Sequence, residues 1–160
     1  MRDLELERKW LVEDAPAEVL ARRPEQIEQG YLTVGDDGSE VRLRRREERC
    51  YLTAKSGRGL VRREREIELS PQQFDALWPA TEGRRIVKTR RVIAAEQDLR
   101  IEFDEYAGGL AGLRVAEVEF PDEQAARAFA APGWFGAEVT DREDYKNRRL
   151  ALDGRLPSNR

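Results

Sequence analysis

Charged and apolar residues alternate along the N-terminal stretch Glu5-Leu6-Glu7-Arg8-Lys9. A period of two is typical of a β-strand, because successive side chains point to opposite faces of a sheet. The two glutamates and the lysine therefore share one face, and the neighbouring leucines share the other. Such a face can hold a divalent cation together with an anion. For one strand taken alone, a charged face in water is the simpler interpretation.

The same alternation returns in later segments of the chain and predicts eight strands joined mostly by short turns. Their charged faces together carry six cations and eight carboxylates. These residues are Glu5, Glu7, Lys9, Arg42, Arg44, Lys55, Glu64, Glu66, Lys88, Arg90, Glu102, Asp104, Glu117 and Glu119. A repeated charged face on strand after strand makes simple solvation a weaker explanation than it is for one strand.

An antiparallel meander of this kind either packs its apolar face on helices or closes on itself. We expect a fold of the α+β class dominated by β-structure: an eight-stranded antiparallel closed β-barrel with a few short flanking helices. A charged lumen is costly unless its charges pair or bind a ligand. Mutual salt bridges explain part of the set. The rest fits carboxylates that hold a metal while the metal and the basic groups hold a chain of phosphates.

Two stretches predict helix starts. Ser70-Pro71-Gln72-Gln73 combines a serine N-cap with a proline at the first helical position, and Thr140-Asp141-Arg142-Glu143 resembles a capping box that opens the last helix. We expect a single domain over residues 1–150, followed by a tail over residues 151–160.

Composition excludes several kinds of chemistry. The chain has no histidine and one cysteine, Cys50, so it can form neither a Ser-His-Asp triad nor a disulfide within the chain. The lack of a disulfide within the chain fits a cytoplasmic protein. The absence of a signal peptide and of a membrane-spanning apolar run fits the same location. A net charge of −3 gives no general attraction to nucleic acid or to a membrane. Exposed strand or helix faces could support a homodimer.

The ordered motifs resemble the signature of the CYTH superfamily, the triphosphate tunnel metalloenzymes. The likeness covers residues 3 to about 150 and begins with Glu5-x-Glu7-x-Lys9. The later motifs follow in order: Gln29-Gly30-Tyr31-Leu32, Val41-Arg42-Leu43-Arg44, Thr53-Ala54-Lys55, Glu64-x-Glu66, Lys88-x-Arg90, Glu102-x-Asp104, Glu117-x-Glu119 and Tyr145-x-Asn147.

The resemblance implies a β-tunnel that binds the triphosphate of its substrate. It assigns phosphate binding to Lys9, Arg42, Arg44, Lys55, Lys88 and Arg90, and to Lys146 by analogy with a basic residue that some members use. It assigns one or two Mg²⁺ or Mn²⁺ ions to Glu5, Glu7, Asp104, Glu117 and Glu119.

Hydrolysis of inorganic tripolyphosphate to pyrophosphate and phosphate is the activity that we expect. Ligation by oxygen alone suits Mg²⁺ or Mn²⁺, and without histidine the simplest nucleophile is a metal-activated water. Glu64 or Glu66 could act as a base, and Lys9 could stabilise the attacked phosphate or the leaving group. An adenylate cyclase, a nucleoside or thiamine triphosphatase, and a non-catalytic polyphosphate- or nucleotide-binding module remain alternatives.

Overall fold

A computed structural model describes residues 6–56 and 63–158 of the chain. Within these ranges, eight strands form a single sheet in which all neighbours are antiparallel. The strands are β1 (Leu6–Leu11), β2 (Glu25–Val34), β3 (Glu40–Arg46), β4 (Arg49–Ser56), β5 (Arg63–Leu69), β6 (Arg85–Ala94), β7 (Arg100–Tyr106) and β8 (Arg114–Phe120). Their spatial order is β1-β8-β7-β6-β2-β3-β4-β5.

The prediction of a closed barrel is wrong. β1 and β5 are the two edges of the sheet, and no ladder joins them in the described ranges. The edge of β1 is already occupied by a later segment of the chain. The N–H of Leu11 donates to the carbonyl of Ala137 at 2.9 Å, and the N–H of Val139 donates to the carbonyl of Lys9 at 2.8 Å. Because these backbone groups are satisfied, β5 cannot pair with this part of β1.

Four short α-helices accompany the sheet in the described part of the chain: α1 (Ala17–Leu20), α2 (Pro71–Leu77), α3 (Glu123–Ala128) and α4 (Asn147–Asp153). α4 runs past residue 150, where the sequence prediction placed the start of the tail. None of the described helices is long and apolar enough to cross a membrane.

The two predicted helix starts have different outcomes. The capping box before α2 is confirmed, because the Ser70 hydroxyl accepts the N–H of Gln73 at 3.1 Å and the Gln73 side chain accepts the N–H of Ser70 at 2.9 Å. The prediction of a capping box at Thr140 is wrong. Its hydroxyl instead accepts the N–H of Lys9 at 3.1 Å, and the chain forms a 3₁₀ turn before α4 without a side-chain cap.

Apolar side chains form three clusters around the sheet. One cluster, on the outer face of β1, β7 and β8, contains Trp10, Ile101, Phe103, Val118 and Phe120 packed against Phe129, Trp134 and Phe135. A second, on the outer face of β3 and β4, contains Leu43, Cys50 and Phe74. The third lies on the inner face, where α4 packs against Tyr31, Ile86, Tyr106 and Val115. This third cluster fills one end of the inner face and leaves the rest to charged side chains.

Candidate active site

Side chains from the inner face of seven strands converge on one cavity of about 1040 Å³. Residues from both edge strands line it, so the sheet is strongly curved although it is not closed. The charged lining residues on the strands are Glu7, Arg42, Arg44, Lys55, Glu64, Glu66, Arg90, Arg100, Glu102, Glu117 and Glu119. The alternation of each strand places them together, because odd or even positions alone reach the inner face. The volume lies just above the roughly 300–1,000 Å³ typical of small-molecule sites.

Three predicted site residues lie beneath this lining. Lys9, Lys88 and Asp104 are 5%, 1% and 0% exposed. The ammonium of Lys9 donates to the carbonyl of Tyr145 at 3.0 Å. Two further residues were predicted to belong to the site. The ammonium of Lys146, a predicted phosphate ligand, donates to the carbonyl of Thr140 at 3.1 Å. Glu5, a predicted metal ligand, lies outside the described residues.

Glu117 is paired with Lys9 across β1 and β8. Its Oε1 lies 2.9 Å from the lysine Nζ, yet this oxygen makes no hydrogen bond of good geometry. Burial alone would raise the pKa of Glu117, but Lys9 and Lys88 outweigh burial and hold it at about 2. The carboxylate is therefore ionised at neutral pH and presents an incompletely satisfied oxygen inside the site.

Asp104 is enclosed by two cations of β6. Its Oδ1 accepts from Nε of Arg90 at 2.7 Å, and its Oδ2 accepts from Nη2 of Arg90 at 2.7 Å and from Lys88 at 2.6 Å. Burial opposes ionisation of Asp104, but Arg90 and Lys88 lower its pKa well below the ordinary value. Arg90 also pairs with Glu102 on the cavity wall. Asp104 thus fixes the guanidinium that the cavity exposes.

Arg44 is held by a neutral partner. Its Nε donates to Oε1 of Gln29 at 2.9 Å, and Nε2 of Gln29 donates to the hydroxyl of Tyr31 at 2.7 Å. Burial, followed by the nearby charges of Arg42 and Arg90, lowers the pKa of Arg44 to about 10. The side chain stays charged at neutral pH in an electropositive part of the cavity.

Sequence reasoning gave no role to several polar residues that the structure places beside the predicted ones. Glu40 lies 3.7 Å from Arg42, and the Thr53 hydroxyl donates to Oε2 of Glu66 at 2.8 Å. Both share strand parity with predicted site residues, so alternation was the signal that could have found them. Lys55 and Glu64, which were predicted, lie 3.6 Å apart.

The donor set fits a hard divalent cation in its chemistry. Glu7, Glu102, Glu117 and Glu119 bring only carboxylate oxygens to one cavity, and Oε1 of Glu117 lacks a good hydrogen bond. Within the described ranges, however, no three acidic, cysteine or histidine side chains stand close enough together to hold a metal ion. Binding of a cation would therefore require these carboxylates to move closer together.

Two curated proteins are similar to this chain over nearly all of its length. An inorganic triphosphatase of Nitrosomonas europaea is 47% identical over 148 residues, which cover 92% of this chain and 97% of that protein. An inorganic triphosphatase of Acetivibrio thermocellus is 32% identical over 147 residues, which cover 91% and 92%.

The chain belongs to the inorganic triphosphatase family. The motif-based resemblance to the CYTH superfamily is therefore confirmed, and so is the prediction of a triphosphatase at the level of the family. No protein-family model matches the chain.

Solved structures agree with this membership. A structure of an inorganic triphosphatase superposes with a TM-score of 0.72 at 44% identity and covers 92% of this chain and 94% of its own. A putative adenylyl cyclase from Hippeastrum, described as having a dominant triphosphatase activity, has a TM-score of 0.56 at 16% identity over 78% and 83% of the two chains. That second likeness concerns the fold alone. Both solved structures thus share the fold of this chain over the superposed part.

Proposed function

We propose that this chain hydrolyses inorganic tripolyphosphate to pyrophosphate and phosphate with Mg²⁺ or Mn²⁺. The observation that carries the proposal is one cavity in which Arg42, Arg44, Lys55 and Arg90 face a group of carboxylates. A linear polyphosphate carries several negative charges, which such a set of fixed cations can engage at once. The family membership supports the same reaction.

The cavity-lining cations would bind and orient the phosphates. Arg90 is held by Asp104 and Arg44 by Gln29, so both guanidinium groups are positioned before substrate arrives. Lys88 would act from beneath the lining, where it pairs with Asp104. Lys9 would stabilise the attacked phosphate or the leaving group. Lys146 remains a proposed phosphate ligand.

The metal would be held by Glu7, Glu117 and Glu119, together with Glu5. When bound, it supplies positive charge opposite the phosphoryl group being transferred. Asp104 differs from these four proposed ligands, because both of its oxygens already accept hydrogen bonds from Lys88 and Arg90.

Glu64 and Glu66 are the proposed proton acceptors. Both line the cavity, and the Thr53 hydroxyl fixes one oxygen of Glu66 at 2.8 Å. A carboxylate oriented in this way can hold the proton that an attacking water releases.

The cavity wall favours an inorganic substrate over a nucleotide. Phe120 is the one aromatic residue in the described lining, and it is 4% exposed because it packs into the outer cluster. A nucleobase usually needs an exposed aromatic or apolar platform. This lining disfavours a nucleotide cyclase and a nucleoside or thiamine triphosphatase. Such an activity on this scaffold is the second candidate. The cytoplasmic location and the homodimer stay predictions.

A phosphate-release panel tests the proposal. Tripolyphosphate, ATP and thiamine triphosphate are each supplied with Mg²⁺ or Mn²⁺, and cyclic AMP is measured in the ATP samples. We expect the highest kcat/KM with tripolyphosphate, equal amounts of pyrophosphate and phosphate, and a neutral to alkaline optimum. Cyclic AMP formation, a preference for ATP or thiamine triphosphate, or full turnover in excess chelator would refute it.

A further inference from the structure

The cavity cations differ in how their charges are compensated. Arg90 pairs with Asp104, Lys55 with Glu64, and Arg42 has Glu40 at 3.7 Å. Arg44 has no carboxylate within ion-pair distance among the described residues, and its partner is the amide oxygen of Gln29. A neutral acceptor positions a guanidinium without cancelling its charge.

The amide of Gln29 is locked in one orientation. The register of the sheet places Gln29 directly opposite Arg44, and the side chain is 0% exposed. A guanidinium only donates hydrogen bonds, so the amide oxygen must face Arg44 and the amide nitrogen must face the other way. That nitrogen donates to the hydroxyl of Tyr31, which is equally buried.

We propose that Gln29 is a positioning residue that holds Arg44 against the cavity while leaving its positive charge available to a substrate phosphate. The proposal rests on the proposed function, since it assumes a polyanionic substrate in this cavity. A carboxylate at position 29 would hold Arg44 equally well but would neutralise it. The choice of amide over acid at this position then sets the affinity for the polyanion.

Gln29→Glu is nearly isosteric and separates the charge effect from the packing effect. The glutamate can accept from Arg44, and the Tyr31 hydroxyl can rotate to donate to it, so the buried network is kept. We expect KM and the dissociation constant for tripolyphosphate to rise by roughly 10-fold or more, the loss of one charge-assisted contact, while kcat changes less. The melting temperature should be unchanged or higher.

Gln29→Met tests the loss of the hydrogen bond without a change in charge. It removes the hydrogen-bond acceptor but leaves the charge of Arg44 intact. We expect weaker binding than in the unmodified protein, but a smaller loss than in Gln29→Glu, together with a lower melting temperature. A residue that serves packing alone would give the reverse order in binding, because the glutamate disturbs the packing least.

Gln26→Glu is the matched control. Gln26 is exposed on the same strand and its side chain bonds to Thr89, so this variant adds the same charge on the outer face. Its tripolyphosphate binding should stay within about twofold of the unmodified protein, since outer-face charge is screened by solvent.

Binding is measured by calorimetry with tripolyphosphate in excess chelator, alongside steady-state kinetics with Mg²⁺. A Gln29→Glu variant that binds within twofold of the unmodified protein overturns the inference, as does an equal loss in Gln26→Glu. Should Gln29→Glu not fold, unchanged binding in Gln29→Met overturns it. An unmodified protein that binds tripolyphosphate without hydrolysing it would refute the proposed function and leave this inference standing.

Discussion

The guanidinium of Arg90 donates two hydrogen bonds to the carboxylate of Asp104, each 2.7 Å long. Lys88 adds a third at 2.6 Å, and Asp104 is completely buried. This geometry uses both carboxylate oxygens and presents Arg90 to the cavity. Both oxygens of Asp104 thus accept hydrogen bonds from cations, whereas Glu119 lines the cavity itself. We expect Asp104 to orient these cations.

Asp104→Asn tests that distinction. The asparagine leaves Lys88 without its ion-pair partner and Arg90 with Glu102 alone, and the new amide nitrogen cannot accept a hydrogen bond from either cation. We therefore expect a lower melting temperature and, because Arg90 is no longer held in place, a higher KM for tripolyphosphate. The Mn²⁺ concentration that gives half-maximal activity should not change, and neither should the Mn²⁺ affinity measured directly by calorimetry. A loss of Mn²⁺ affinity equal to that of Glu119→Gln would show that Asp104 is a metal ligand.

Arg42→Ala should weaken substrate binding more than turnover. Removing one charge-assisted contact costs about 1.5–3 kcal/mol, which corresponds to roughly 10- to 150-fold. If Arg42 holds the ground state and the transition state alike, KM rises while kcat is less affected. Steady-state kinetics check this, and extra Mn²⁺ should not rescue the variant.

Glu119→Gln should lower kcat and respond to metal. The amide keeps the shape of the side chain but removes a ligand charge, and the metal acts on charge that develops in the transition state. Rates measured over a series of Mn²⁺ concentrations should show partial recovery. Rescue of Arg42→Ala by Mn²⁺, without rescue of Glu119→Gln, would reverse the two assignments.

Glu117 should make stability depend on pH in the acid range. Its folded pKa of about 2 lies below its ordinary value of 4.5, so the folded state binds the proton less readily than the unfolded chain does. The resulting stabilisation is present above pH 4.5 and is lost as pH falls toward 2.

Urea unfolding of Glu117→Gln in excess chelator measures this contribution. The variant should be less stable than the unmodified protein at pH 7, and the difference should shrink between pH 4.5 and 2. Glu123→Gln, which disrupts an exposed pair with Arg127, is the control and should show little change. A stability difference for Glu117→Gln that is independent of pH would contradict the assignment.

Gly30→Ala should destabilise the fold. A Cβ atom at this position would lie 2.5 Å from the hydroxyl oxygen of Thr81 and 2.8 Å from the ring of Trp78. Overpacking of this kind costs about 1–3 kcal/mol, which thermal unfolding can resolve. Gly133→Ala is the matched control, because nothing lies within 4 Å of the added atom. Equal melting temperatures for the two variants would show that the sheet adapts to the extra methyl group.

The inner face of the sheet could be predicted from local sequence. Period-two alternation assigns each of Glu7, Arg42, Arg90 and Glu119 to the charged face of its own strand, and the structure brings all four to the same cavity. The capping box at Ser70 was equally readable, because its two hydrogen bonds join residues three apart. Both features depend on chain geometry within a few residues.

Depth within the site could not be predicted in the same way. Lys88 and Arg90 share strand parity, yet Arg90 lines the cavity and Lys88 is buried beneath it. Alternation tells which face a side chain takes, but the curvature of the sheet and the packing of α4 decide which side chains stay accessible. Gln29 was missed for the related reason that its partner Arg44 lies on another strand. Glu40 shares the inner face of β3 with Arg42, but its second cation, Arg148, comes from α4.

The sequence by itself determined the strands, their charged inner face and the family motifs, because each of these depends on residues that lie two to four positions apart. The tertiary structure alone decided that the sheet stays open. The deciding hydrogen bonds join Lys9 and Leu11 to residues 137–140, more than 120 positions away along the chain. No local pattern encodes which of two distant segments will satisfy the free edge of a strand, since both offer the same backbone donors and acceptors.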